Sequence, residues 1–244
     1  MNLISPEWPV SSRVKALVTG RGGGVSEGPW QSLNLGLNCG DVADHVEENR
    51  RRLRKLLPGD PCWLAQVHGT GMVHLDDWRD GVEADAAWTD CPGQVAVVLT
   101  ADCLPVLLAD KHGTVVAAVH AGWKGLAAGI LERAIEALPA FSGQLYAWIG
   151  PGICANCYQV GDDVREALTA TDPEAGLAFR RDGTRWRADL KRLASSRLQR
   201  HGVLTLDSGR CTHCDKDRFF SFRRDGVTGR MASLIWLGHQ SLRQ

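Results

Sequence analysis

Four short apolar runs near the middle of the chain carry its strongest structural signal. Cys62–His68, Val95–Thr100, Leu104–Asp110 and Thr114–His120 are rich in Val, Leu and Ala and are separated by turn signals such as Lys111-His112-Gly113. That pattern predicts short strands. Their apolar character is nearly continuous rather than alternating, which predicts strands covered on both faces. Further strands are expected at Val14–Thr19, Gln144–Ile149, Val203–Leu206, Phe219–Arg223 and Ser233–Leu237. Helical spacing marks Asp44–Leu57, where Val46, Leu53, Leu56 and Leu57 form a stripe against Arg50, Arg51, Arg52 and Arg54, before Pro58-Gly59 stops it. Gly125–Leu138 has Leu126, Ile130, Ala134, Ile135 and Leu138 on one side, and Asp162–Ala170 and Arg187–Arg200 are also expected as helices. The mixture predicts an α/β protein of α+β mixed type, layered around mixed β-sheets. With no linker, repeat or low-complexity tract, residues 1–244 are expected to form a single domain.

Composition narrows the function classes. Of 244 residues, 44% are hydrophobic and 23% charged, as in ordinary globular proteins. Lys plus Arg and Asp plus Glu are both 28, so net charge gives no pull toward nucleic acid or a membrane surface. Met1–Val10 contains Glu7 and Pro9 without an apolar core, unlike an export signal. No run approaches the roughly 18 apolar residues of a membrane helix. A cytoplasmic location with eight reduced thiols is the expectation.

Candidate chemistry lies at the ends of the apolar runs. Gln66-Val67-His68-Gly69, Ala101-Asp102-Cys103-Leu104-Pro105 and Val119-His120-Ala121-Gly122-Trp123 each place a ligand-type side chain beside a Gly or Pro turn. A lone His or Cys at a strand end is usually structural, but three in matching contexts point to a shared site. Two imidazoles and a thiolate make a three-ligand zinc set with an open position, the pattern of catalytic rather than structural zinc. Neighbouring strands would bring Cys103 and His120 together, with His68 arriving from another strand. Cys154-Ala-Asn-Cys157 and Cys211-Thr-His-Cys214 form a competing set, although the gap between them far exceeds the about 15–20 residues of a zinc ribbon. Buried or incidental thiols are the stronger expectation there. Arg21-Gly22-Gly23-Gly24 is an anion cradle or a flexible turn, and Arg223-Arg224-Asp225-Gly226 is a clamp or a charged turn.

Taken together, these segments resemble the YfiH-like family, labelled multicopper polyphenol oxidase or laccase-domain and recast as purine nucleoside phosphorylases. The resemblance runs through Arg21-Gly-Gly-Gly-Val-Ser26, Ser32-Leu-Asn-Leu-Gly36, Asn49-Arg50, Gln66–Gly69, Ala84-Asp85-Ala86, Thr100–Pro105, Val119–Gly125, Ile149–Ile153, Phe219–Arg224 and Thr228–Met231. It implies a layered α/β sandwich with a CNF-like/YfiH-like cysteine-hydrolase fold, and one zinc on His68, Cys103 and His120. It also implies phosphorolysis of adenosine, inosine and S-methyl-5'-thioadenosine, adenosine deamination, and a role described as peptidoglycan editing. Cys154, Cys157 and Cys214 fall where the family pattern requires no thiol, so they inherit no role.

The chemistry favours zinc over copper. Multicopper oxidation needs a histidine-rich cluster besides its electron-transfer copper, whereas the chain has eight histidines with only His68 and His120 in site segments. A lone blue-copper centre would want a weak axial ligand, for which only Met72 and Met231 offer themselves. For phosphorolysis, zinc or the fork-shaped guanidiniums of Arg21 and Arg223 would hold phosphate, and Trp123 would stack on a base or pack in the core. Deamination calls for a proton-transfer carboxylate, with Asp102 and Asp85 as candidates. His68, Cys103 and His120 are thus expected to be both metal ligands and catalytic residues, with purine nucleoside and phosphate as the small-molecule partners. Two other classes remain: a metal-free hydrolase with Cys103 as nucleophile and His120 as base, and a binding protein with structural zinc.

Overall fold

The computed structural model describes residues 1–170 and 172–239. Among the described residues, fourteen strands form three sheets. The first joins β1 (Leu3–Ile4), β2 (Val14–Thr19), β14 (Met231–Leu237), β6 (Val95–Thr100) and β3 (Pro61–Cys62) in that order. The second joins β13 (Leu204–Asp207), β9 (Leu145–Ile149), β7 (Leu104–Asp110), β8 (Val116–Ala121), β5 (Ala86–Thr89) and β4 (Met72–His74). A small third sheet holds β10 (Gln159–Val160), β12 (Arg185–Ala188) and β11 (Phe179–Asp182). Both large sheets mix parallel and antiparallel pairs, as the sequence predicts.

The sheets stack face to face, with helices outside. Val18, Ala96, Val98 and Ile235 of the first sheet meet Leu107, Ala109, Val116 and Ala118 of the second. The opposite face of the second sheet, with Val106, Leu108, Ala117 and Val119, packs on α2 (Trp123–Ala127), α3 (Ile130–Ala137), α4 (Asp162–Thr169) and α5 (Leu190–Arg200). The outer face of the first sheet, with Leu17, Val97 and Leu234, is covered by Leu53 of α1 (Ala43–Arg54). The layers therefore run helix, sheet, sheet, helices. Every residue of β7 is buried, so this strand has no polar face and reads as an unbroken apolar run. No helix among the described residues is long and apolar enough to cross a membrane.

Several expectations need correction. Cys62–His68 is not a strand beyond Cys62; the chain turns irregular, and His68 takes a left-handed φ of 60° that no strand accommodates. The helix expected over Gly125–Leu138 is two helices, broken where Gly129 has a φ of +87°. Arg187 and Ala188 belong to β12, and α5 starts at Leu190 because the Asp189 carboxylate caps it by accepting the Arg192 N–H. Phe219–Arg223 is not a strand: Ser221 caps a short helix, α6 (Phe222–Asp225), by accepting the Arg224 N–H. α1 ends at Arg54, which leaves Leu56 exposed rather than on its buried stripe.

Candidate metal centre

One ligand atom from each of His68, Cys103 and His120 lies within 4.8 Å of the others. Three local devices bring these side chains together from distant points of the chain. β7 and β8 pair antiparallel with Pro105 opposite His120, so Cys103, one residue before β7, projects beside the histidine. Cys103 and His120 share the parity of Leu107 and Ala118 and lie toward the layer between the sheets. His68 reaches them from an exposed loop, and its ring meets that of His120 edge to face at 4.8 Å.

Asp85 ties the loop to the strand. Its Oδ1 is 2.7 Å from His120 Nδ1 and accepts the His68 N–H at 3.0 Å, while Oδ2 accepts the N–H groups of Gly69 at 2.7 Å and Val67 at 3.2 Å. One fully buried carboxylate therefore fixes the left-handed turn at His68 and engages Nδ1 of His120, which leaves Nε2 for an ion. Burial opposes the ionised form of Asp85, but these donors outweigh it and hold its pKa below the usual range. Its sequence signal is a lone acid in Ala84-Asp85-Ala86, which sequence reasoning weighs only for proton transfer.

Asp102 is the other anchor. It adopts a φ of 98°, and its Oδ1 accepts from the Thr212 hydroxyl at 2.6 Å. Its Oδ2 accepts from the Ser221 hydroxyl at 3.0 Å and the Arg223 N–H at 2.6 Å. These bonds brace the strained turn that delivers Cys103. Asp85 thus accepts four hydrogen bonds and Asp102 three, so both carboxylates hold the turns that carry the ligands.

The residues suit a zinc ion. Burial pushes the Cys103 thiol up, yet the imidazoles of His120 and His68 outweigh it and bring its pKa down to about 6, so a thiolate is available at neutral pH. Burial likewise opposes protonation of His120, but the neighbouring Cys103 sulfur and Asp85 raise its pKa to about 9. A cation at the centre takes over the role of that proton. No fourth His, Cys, Asp or Glu joins the set among the described residues, which leaves room for a reactant. The only other such cluster is made of four cysteines, so no histidine-rich group for a second copper centre exists among the described residues. Met72 packs against the helix-covered core and Met231 packs with Phe219 and Phe220, so both thioethers serve the core.

An open cleft of about 460 Å³ on the helix-covered side is lined by Trp123, Tyr158, Asp162, Asp163, Arg185 and Arg223 among others, and none of the three ligands is in its lining. Burial pushes the Tyr158 phenol pKa up, and the negative charge of nearby Cys103 adds to it. Arg223 stacks on the Tyr158 ring at 4.8 Å and donates to the Gln159 carbonyl at 2.6 Å, leaving the rest of its fork facing the cleft. Arg21 is placed differently. It donates to the carbonyls of Gln31 and Lys216, both at 3.0 Å, and lies over the Phe220 ring. The glycine-rich segment after it spends its amides internally: Gly23 and Gly24 donate to Ser32 Oγ, Val25 to Asn49 Oδ1 and Ser26 to the Ser32 carbonyl. It is a packed turn rather than an anion cradle. Asn49, which anchors it, also donates to Ser26, Ser32 and Asn34.

Residues 15–238 match the family described as multi-copper polyphenol oxidoreductase laccase. The purine nucleoside phosphorylase YfiH of Escherichia coli K12 is 48% identical over 239 residues, spanning 96% of this chain and 98% of that protein. Purine nucleoside phosphorylase PA4543 of Pseudomonas aeruginosa is also 48% identical over the same shares. The crystal structure of Neisseria meningitidis protein NMB0706 superposes with a TM-score of 0.93 at 43% identity, covering 98% of this chain and all of that one. Hypothetical protein YfiH of Bacillus licheniformis gives 0.87 at 32%, over 92% of each chain. The chain therefore belongs to the multi-copper polyphenol oxidoreductase laccase family, that of the YfiH proteins.

Proposed function

We propose that this protein is a zinc-dependent purine nucleoside phosphorylase acting on adenosine, inosine and S-methyl-5'-thioadenosine. The observation that carries the reading is the open His68–Cys103–His120 set in a chain that also has a cleft lined by Trp123, Tyr158 and Arg223 and is 48% identical to proteins named purine nucleoside phosphorylase. A zinc ion held there supplies a Lewis acid with a free position. The chain's own groups supply the rest. Trp123 and Tyr158 offer flat walls for a purine, and Arg223 offers the planar fork that suits a phosphate. In phosphorolysis a phosphate oxygen bonds to C1' as the C1'–N9 bond breaks toward the base, which then takes a proton. That proton can come from the dihydrogen phosphate itself or from solvent, because burial raises the Tyr158 phenol pKa and makes it a weak donor at neutral pH.

Incubation of metal-replete protein with adenosine, with and without phosphate, tests this. Phosphate-dependent release of adenine and ribose 1-phosphate supports the phosphorylase. Inosine formed without phosphate adds the deaminase activity. Silence in both arms overturns the reading and returns weight to a Cys103–His120 hydrolase. The second imidazole, His68, favours the metal, because a nucleophile–base pair needs only one.

A further inference from the structure

The sequence separates Cys154 and Cys157 from Cys211 and Cys214 by more than fifty residues, and the sheet removes that distance. β9 and β13 are parallel neighbours, with Ile149 opposite Asp207, so the loops after them leave from the same sheet edge. The pairing continues as an isolated bridge between Gly152 and Cys211. Each loop then folds into a tight turn. The Cys157 and Tyr158 N–H groups donate to the Cys154 carbonyl, and the Asp215 N–H donates to the Cys211 carbonyl at 3.1 Å. A turn of this kind sets the two thiols of a Cys-x-x-Cys pair on one side.

All four sulfurs lie within 4.8 Å of one another. The Cys154 N–H donates to the Cys211 sulfur at 3.3 Å, and the Cys157 and Cys214 sulfurs are 3.4 Å apart. A disulfide would need about 2.05 Å. A tetrahedral zinc with four Zn–S bonds of about 2.3 Å places its sulfurs roughly 3.8 Å apart, which is the scale of this cluster. Four thiolates select zinc or an iron centre over copper(II) or a hard cation.

We propose that Cys154, Cys157, Cys211 and Cys214 bind a second zinc ion in a closed, four-thiolate structural site. The site differs in kind from the His68–Cys103–His120 set: it has no open position, and so it holds architecture. Its place in the molecule defines what it holds. Thr212, between the second pair of cysteines, carries the hydroxyl that donates to Asp102 Oδ1 at 2.6 Å, and its N–H donates to the Gly152 carbonyl. The Ile153 N–H, just ahead of the first pair, donates to the Asp102 carbonyl at 2.9 Å. The two loops thus grip both ends of the residue that precedes Cys103. A zinc knot joining them braces the turn that carries a ligand of the first centre.

Metal analysis of the intact chain, purified without chelators or added metal, tests this. Two zinc ions per chain are expected, where the open set alone accounts for one. His68→Ala/His120→Ala is expected to retain one zinc, which decides the matter whether or not the open set binds metal. Cobalt loading of that variant is expected to give the intense visible bands of a tetrathiolate ion. Cys157→Ser/Cys214→Ser is expected to lose one zinc and to melt at lower temperature; should it fail to fold, the metal content of the His68/His120 variant remains decisive. Absence of zinc from the His68/His120 variant overturns the site. So does iron in place of zinc, or a native mass short of four hydrogens that shows two disulfides among these cysteines.

Discussion

Gly122 and Cys103 face each other one step beyond the Leu104–Ala121 pair of β7 and β8, and a Cβ on Gly122 would stand 3.0 Å from the Cys103 sulfur and 3.2 Å from the His68 ring. The backbone at Gly122 is ordinary extended chain, with φ −76° and ψ 167°, so conformational freedom does not require glycine here. Space does. Gly122→Ala is expected to push both ligands out of alignment and to lower metal affinity, with a melting temperature near that of the parent. Chelator competition alongside thermal melting separates the two effects.

Asp85→Asn keeps the size of the side chain and changes what it can accept. An amide nitrogen would face either the Gly69 and Val67 N–H groups or the His120 ring and the His68 N–H. Loss of an outer partner of a metal-ligating histidine costs about 10–100-fold in metal affinity or activity. The variant is expected to fall in that range in a chelator titration, with phosphorolysis declining in parallel.

Arg223 and Arg21 are expected to part company under substitution. Arg223→Ala removes the fork facing the cleft and is expected to raise the KM for phosphate about 10–100-fold, the scale of a hydrogen bond to a charged group. Arg21→Ala removes two carbonyl contacts and a ring contact away from the cleft lining. It is expected to lower stability by roughly 1–3 kcal/mol with the phosphate KM unchanged. Steady-state kinetics against phosphate, beside melting curves, give both readings.

Asp110 provides a pH signature remote from the metal centre. Burial opposes its ionisation, yet the N–H groups of His112, Thr114 and Val115 donate to it at 3.0, 2.6 and 2.9 Å and hold its pKa below the ordinary value. A carboxyl that ionises more readily when folded contributes its full stabilisation above the unfolded pKa of about 3.9. That contribution fades as pH falls toward and through the lower folded value. Asp110→Asn is expected to be less stable at neutral pH by about 1–3 kcal/mol and to show a flatter loss on acidification, read by denaturant titration across pH.

Burial on both faces made the centre of the fold legible. Val95–Thr100 and Leu104–Asp110 match their predicted bounds because no polar face interrupts the apolar run. The misses have local causes: a left-handed Gly129 inside an apolar helical stripe, and a Ser221 cap inside an aromatic run that reads as a strand. Cys103 and His120 were legible as strand-end residues, whereas the backbone of His68 is shaped by a carboxylate seventeen positions away. The four cysteines were hidden for a different reason. Linear spacing is a guide when ligands share one hairpin, and here a parallel strand pair supplies the proximity.

The pairing of Pro105 with His120 has a consequence for how the protein matures. Adjacent residues of a strand point to opposite sides, so a slip of β8 by a single position would turn the imidazole into the helix-covered layer and bring Val119 or Ala121 to the sulfur instead. An ion held at this point would therefore depend on the alignment of the two innermost strands: chains zipped out of step are built of the same atoms and would lack the site.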